Sequence, residues 1–504
     1  MKGLKEMNRR RWSYLALAIA ALILIGVCFW PGAKPAPNVD KASKDLSNYE
    51  LSLSLDTVTQ TLSGRLRLDY VNGAMAQMDT LYFHLYPNAF AKAETAPFPE
   101  NEWSLAYPKG FSPGGIKISR VTAGGQPVVY AVEGEINTNL KVVLPAVLTH
   151  GERITLEMDY IVQLPHCEGR FGYGTDTYNL ANCYPIACVY DENGWNRDPY
   201  TAVGDPFYSD MANYRVIFSA PESMVVAATG DLTKEESRQG VTIRTYEAKA
   251  VRDYAIVGSE KFQRLERRVG KTTVYAYGFT GENLERALDA GAAALRIYNR
   301  LFATYPYRQL SVVEANFYIG GMEFPNLVMI DTSLYGPGNE DWLEMVVAHE
   351  VAHQWWYQLV GNNEVKEPWL DEALTQASTV LYFGERYGKA REEVAYDAYL
   401  RSSFERIKLG KNFFPSGSQV VDRPITEFQN SAEYDSIVYG KGGMMVLDLR
   451  DQMGEKKFYR FLGSYFDQNV FGNATEADFV AAAREATGQN WDPVIQDWLK
   501  NDLE

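Results

Sequence analysis

At 504 residues the chain is too long for one ordinary core, and two domains are expected beyond its N-terminus. A composition of 46% hydrophobic and 22% charged residues belongs to a globular protein and excludes a disordered or collagen-like chain. The formal charge of −15 excludes nucleic acid as a natural partner, because phosphate binding needs a basic face.

Residues 1–11 form a basic tail carrying Lys2, Lys5, Arg9, Arg10 and Arg11, followed by an uncharged apolar run from Trp12 to Trp30. Nineteen residues at about 1.5 Å each span roughly 28 Å, close to the hydrocarbon thickness of a bilayer. No Ala-x-Ala-like cleavage site precedes Pro31. Residues 12–30 are therefore expected to be a single-pass cell-membrane anchor, with a cytoplasmic N-terminus and an extracytoplasmic bulk. Pro31, Pro35 and Pro37 make residues 31–44 read as a stiff stalk that lifts the domains off the membrane. Three cysteines follow, Cys167, Cys183 and Cys188. They allow one disulfide or buried thiols, and with His166 they match no standard zinc spacing.

Period-two alternation begins after the stalk. Leu51, Leu53 and Leu55 alternate with polar residues, as do Leu66, Leu68 and Tyr70, and strand-like runs recur at 80–86, 128–132, 154–162 and 214–219. Residues 45–262 are thus expected to be a large antiparallel β domain. The character changes near 263–280. Helical patterns then run over 282–302, 341–360, 368–387 and 442–453, with a strand at 309–315 among them. The fold class expected is α+β, with a mainly helical second domain over residues 263–504.

The chemistry concentrates in that second domain. His349-Glu350-Val351-Ala352-His353 lies in a helical pattern from Trp342 to Tyr357, so two imidazoles one turn apart can reach a single ion. Such a motif arises by chance in roughly one chain per few hundred of this size, so a third ligand has to discriminate. Glu372 follows His353 by 19 positions, inside a helix that Pro368 can open. Two histidines and one glutamate leave a fourth position open, the mark of a catalytic zinc site with one Zn2+ per chain. Glu350 is placed to take a proton from the attacking water and return it to the leaving amine.

These residues resemble the gluzincin aminopeptidases, the family of aminopeptidase N and leukotriene hydrolase. The marks are Gly320-Gly-Met-Glu-Phe-Pro-Asn326, the H-E-x-x-H with its later glutamate, and Val438-Tyr-Gly-Lys-Gly442, in family order. The resemblance implies a saddle-like N-terminal β domain followed by a thermolysin-like catalytic domain. It implies that Gly320, Gly321, Met322 and Glu323 bind substrate, with Glu323 on its free α-amine. Tyr439 would stabilise the oxyanion, and Tyr434 would be a second active-site tyrosine. Phe324 and Asp371 depart from the family's usual asparagines at those positions. A β-domain residue that assists amine recognition is sought near 178–190. About 65 residues follow Tyr439, so the domains that roof longer members are expected to be missing and the cleft to be open.

The function expected is hydrolysis of N-terminal residues from peptides outside the cytoplasm. The alternatives are a peptide-binding or sensor protein without turnover, and an endopeptidase or epoxide hydrolase on the same zinc site. Intact Glu350 and Tyr439 weigh against a pure binder, which needs neither.

Overall fold

A computed structural model describes residues 34–279, 281–410 and 414–503. The basic tail, the anchor expected at 12–30 and the first stalk residues lie outside them. No helix among the described residues is long and apolar enough to cross a membrane.

From Lys34 onward the expected stalk does not stand off the body. The Lys34 ammonium donates to the Gly463 carbonyl at 2.7 Å, and Thr304 donates to the Lys34 carbonyl through its amide and its hydroxyl, each at 2.9 Å. The prolines hold this segment extended, so its backbone groups remain free to bond with the surface beneath.

The N-terminal half is β-rich. Its largest sheet has eight strands, and its centre pairs Ser47–Asp56 with Thr61–Val71 antiparallel and with Ala212–Pro221 parallel. Leu51, Leu53 and Leu55 point into the core and their neighbours to solvent, which is what period two dictates for a half-buried strand. Two four-stranded sheets and a two-stranded one, Tyr190–Asp191 with Gly194–Trp195, complete this half. The run expected at 80–86 is the strand Met78–His84, after which Tyr86–Ala91 turns away.

The C-terminal half opens with β1 (Gln263–Val269) and β2 (Thr272–Gly278), followed by helix α1 (Gly281–Leu301), β3 (Gln309–Ala315), β4 (Gly321–Met322) and β5 (Leu327–Asp331). These five strands form one sheet in the order β1-β2-β3-β5-β4. All seven residues of β3 are buried. Leu310 and Val312 pack with α1 and the helical core, whereas Val313 and Ala315 pack into the core of the β half. A strand covered on both faces is buried along its whole length, and the polar residues within β3 are met by hydrogen bonds: Gln309 donates to the Ala228 carbonyl, Ser311 to Gln309, and Glu314 accepts from the Phe279 amide.

Helices α2 (Glu340–Ala352) and α3 (Trp369–Tyr387) lie behind this sheet, and further helices extend to Lys500. The helix expected at 341–360 stops at Ala352, with His353 as its C-cap. Beyond it Tyr357 takes φ = 134° while its hydroxyl donates to Asp253 of the β half at 2.8 Å. Arg252 donates to the Tyr357 carbonyl. Bonds to the other half thus compete with helix continuation and win, although the apolar pattern runs on.

Candidate metal centre

One cavity of about 270 Å³ lies between the halves, and His349, Glu350, His353, Glu372, Glu323, Gly320, Gly321, Tyr434 and Tyr439 line it. Residues named from three separate stretches of sequence therefore converge on one space. Helix α2 supplies His349 and Glu350 from its last turn, and α3 supplies Glu372 from its first.

The two Nε2 atoms of His349 and His353 are 3.1 Å apart, and each lies 3.3 Å from Oε2 of Glu372. Ligands about 2.0–2.1 Å from a tetrahedral zinc stand about 3.3–3.4 Å from one another, so this triangle fits the ion. Protonation is arranged to match. His353 Nδ1 donates to the Trp356 carbonyl at 2.8 Å, and His349 Nδ1 donates to Oε1 of Gln376 at 2.8 Å. Gln376 is oriented in turn by donating to the Tyr399 carbonyl at 3.2 Å. In the neutral form of each imidazole Nδ1 carries the proton, so that both Nε2 lone pairs are free to face an ion at the triangle's centre. Burial pushes the Glu372 carboxyl up, but the two imidazoles outweigh it and hold the group below the usual carboxylate range.

Around the triangle is a ring of buried carboxylates without enough cations. Glu350, Glu323, Glu364 and Asp371 each keep one buried oxygen with no hydrogen-bond partner. Burial pushes Glu350 up to about 8, with His353 opposing, and raises Glu323 well above its ordinary range. Asp371 is pushed up to about 8 by burial and by Glu372 beside it. Its Oδ1 accepts from the Glu372 amide at 3.0 Å and from Asn362 at 3.3 Å, which makes it a support for the ligand. The triangle and the neighbourhood of Glu323 are therefore places where a cation would be attracted.

Strand β4 forms the free edge of its sheet, its other edge pairing antiparallel with β5. Gly321 is required there, because a Cβ would stand 2.0 Å from Oε1 of Glu350. The backbone of Gly320–Met322 thus lies directly against the Glu350 carboxyl, with its unpaired edge free to pair with an extended chain.

Tyr439 stacks on His349 with ring centroids 5.6 Å apart, and its hydroxyl donates to Oε1 of Glu372. It sits on a π-helical turn, Asp435–Lys441, of a kind often found at functional sites. Tyr434 is buried against Tyr439 at 5.7 Å.

The β half contributes residues that sequence reasoning missed. Arg170, buried, pairs with Asp205 and donates to the Met322 sulfur at 2.9 Å. Both Arg170 and Asp205 line the cavity, whereas no residue of 178–190 does. A loop of the β half also reaches the cavity. Pro97 and Glu102, on that loop, line the mouth, and Glu102 accepts from the Ser431 hydroxyl opposite at 2.8 Å. Cys167, Cys183 and Cys188 are free, buried thiols, and neither they nor His166 belong to a metal-ligand cluster among the described residues.

A Peptidase family M1 domain matches residues 286–498. Aminopeptidase M1-D of Oryza sativa subsp. japonica is 24% identical over 58% of this chain and 34% of its own length. Aminopeptidase N of Lactobacillus helveticus is 29% identical over 44% of this chain and 27% of its own. The chain thus spans about a third or less of these curated relatives. An M1 zinc metallopeptidase from Deinococcus radiodurans superposes with a TM-score of 0.63 at 19% identity, covering 91% of this chain and 94% of that one. That likeness concerns the fold. The same order, a β-rich half before a helical half, is present in both.

Proposed function

We propose that the chain, whose residues 286–498 match a Peptidase family M1 domain, is a zinc aminopeptidase that removes N-terminal residues from peptides. The observation that carries the reading is Glu323. It is a buried carboxylate with an unpaired oxygen, at the end of a free strand edge, in the same cavity as the metal triangle. An ammonium group is the partner such an anion lacks, and a free peptide N-terminus supplies one.

His349, His353 and Glu372 would hold the zinc, which when bound supplies Lewis acidity to the scissile carbonyl and to water. The chain's own residues do the rest. The edge Gly320–Met322 aligns the substrate as an added strand, and Glu323 sets its register by gripping the amine. Glu350 accepts the proton of the attacking water and delivers it to the leaving nitrogen. The Tyr439 hydroxyl, resting on Glu372, is close enough to the triangle to shift its hydrogen bond to a developing oxyanion. Tyr434 backs that ring.

On the expectation of an anchor at residues 12–30, the site of action is the extracytoplasmic side of a membrane. Protease accessibility of the catalytic half on intact cells tests this, and a fully protected protein would refute it.

The experiment for the activity is metal analysis of the purified protein together with hydrolysis of paired peptides, free and N-acetylated. About one zinc per chain, chelator-sensitive turnover and strong discrimination against the acetylated member are expected. Internal cleavage of blocked peptides would make the protein an endopeptidase instead.

A further inference from the structure

One carboxylate at the cavity has no part in this chemistry. Glu102 lies on a loop of short turns, Ala93–Thr95, Glu100–Glu102 and Trp103–Ala106, that leaves the β half and crosses the mouth of the cleft. The loop is braced by its own aromatic residues, with Trp103 4.9 Å from Tyr107 and Tyr107 5.5 Å from Phe98. Phe98 in turn meets Tyr318 of the catalytic half at 5.9 Å. Glu102 is therefore held in place by a packed element and is not a mobile surface side chain.

The other carboxylates on the cavity wall are accounted for. Glu372 is in the metal triangle, Glu350 and Glu323 have the roles above, Asp205 is paired with Arg170, and Asp435 with Arg406. Among the described residues Glu102 makes no ion pair, and its Oε1 contact is the neutral Ser431 hydroxyl. An acid held at a cleft mouth by neutral donors alone, the Ser431 hydroxyl and the Tyr318 phenol, retains the capacity to bind a cation.

The direction of a bound peptide places Glu102 within its reach. With its amine at Glu323, a chain pairing with β4 runs back past Met322, Gly321 and Gly320 toward Ile319 and Tyr318. Burial and then Glu102 itself push the Tyr318 phenol up, which sets the Glu102 carboxylate beside that end of the path.

We propose that Glu102 is a specificity residue that binds a cationic side chain in the second or third residue of the substrate, so that peptides bearing Lys or Arg there are preferred. This rests on the aminopeptidase reading. Arginine and its uncharged isostere citrulline isolate the charge. Values of kcat/KM are to be measured for Leu-Arg-Ala against Leu-citrulline-Ala, and for Leu-Ala-Arg against Leu-Ala-citrulline. Zinc-loaded wild type and Glu102→Gln are compared, the latter keeping the size and the Ser431 contact.

The wild type should favour arginine at one of the two positions by about tenfold, and Glu102→Gln should bring that ratio near one. Added salt should erode the preference as well, since the pair lies at a wet mouth. Equal rates on arginine and citrulline peptides in the wild type, or an unchanged ratio in Glu102→Gln, would overturn the proposal. If no peptide is turned over, the aminopeptidase reading fails. The same ratio read as calorimetric affinities on the zinc-loaded protein then decides the role of Glu102 separately.

Discussion

The floor of the cavity and its wall are equally buried, yet their hydrogen bonding is opposite. On the floor every outward atom of the ligands is used: Gln376 and Trp356 take the two Nδ1 protons, and Tyr439 and the imidazoles cover Glu372. On the wall, Glu323 and Glu350 keep bare oxygens. Burying an anion without a partner costs several kcal/mol, so these carboxyls are pushed toward their protonated forms, and a cation arriving beside them would favour the ionised ones. The floor is built to hold, the wall to exchange.

Removing a wall group should therefore spare the metal and destroy turnover. Glu350→Gln is expected to keep zinc at the wild-type stoichiometry while kcat falls by about 10²–10⁴-fold. Metal analysis and steady-state rates on one preparation test both parts, and loss of the zinc would place Glu350 on the floor.

Glu323→Ala should lower kcat/KM for free-amine peptides by about 10²-fold. N-acetylated peptides, already poor, should lose little more, because the contact is absent there. The two substrates and two proteins form a double-mutant cycle. Equal losses on both would mean that Glu323 supports the fold and does not grip an amine.

The smallest effect should come from behind the floor. Gln376→Ala leaves all three ligands but frees the His349 tautomer, and zinc affinity should fall about 10–100-fold with kcat of the loaded protein less affected. Affinity in this variant and in wild type should rise with pH. Burial lowers the proton affinity of His353, but Glu323 and Glu372 outweigh it and raise its pKa, so zinc must displace a proton from that imidazole. Competition titrations against a chelator at several pH values measure both effects, and a pH-independent affinity would contradict the assignment of His353 as a ligand.

Much of the floor was legible in the sequence, and less of the wall. His349, Glu350 and His353 are a local pattern, and the pairing of that pattern with Glu372 needs only two helices of ordinary length. The leucine alternation at 51–55 and 66–70 likewise announced its strands. The edge strand Asp231–Arg238 went unread because almost every residue in it is exposed, leaving no apolar period to see. Gln376 was within reach, one helical turn beyond Glu372, but a glutamine on a helix carries no signal until its partner is known.

By itself, then, the sequence picked out His349, Glu350, His353 and Glu372, which the structure gathers at one cavity, and the order of a β-rich half before a helical one, because helix and strand periods act over a few residues. Only the tertiary structure decided that α2 ends at Ala352 under the pull of Arg252 and Asp253. It alone decided that Lys34 lies on the body, and that Arg170, Asp205 and Glu102 reach the cavity from the β half. Those outcomes join residues 100 or more positions apart. They depend on how two cores share the five-stranded sheet, and no local period encodes which surfaces will meet.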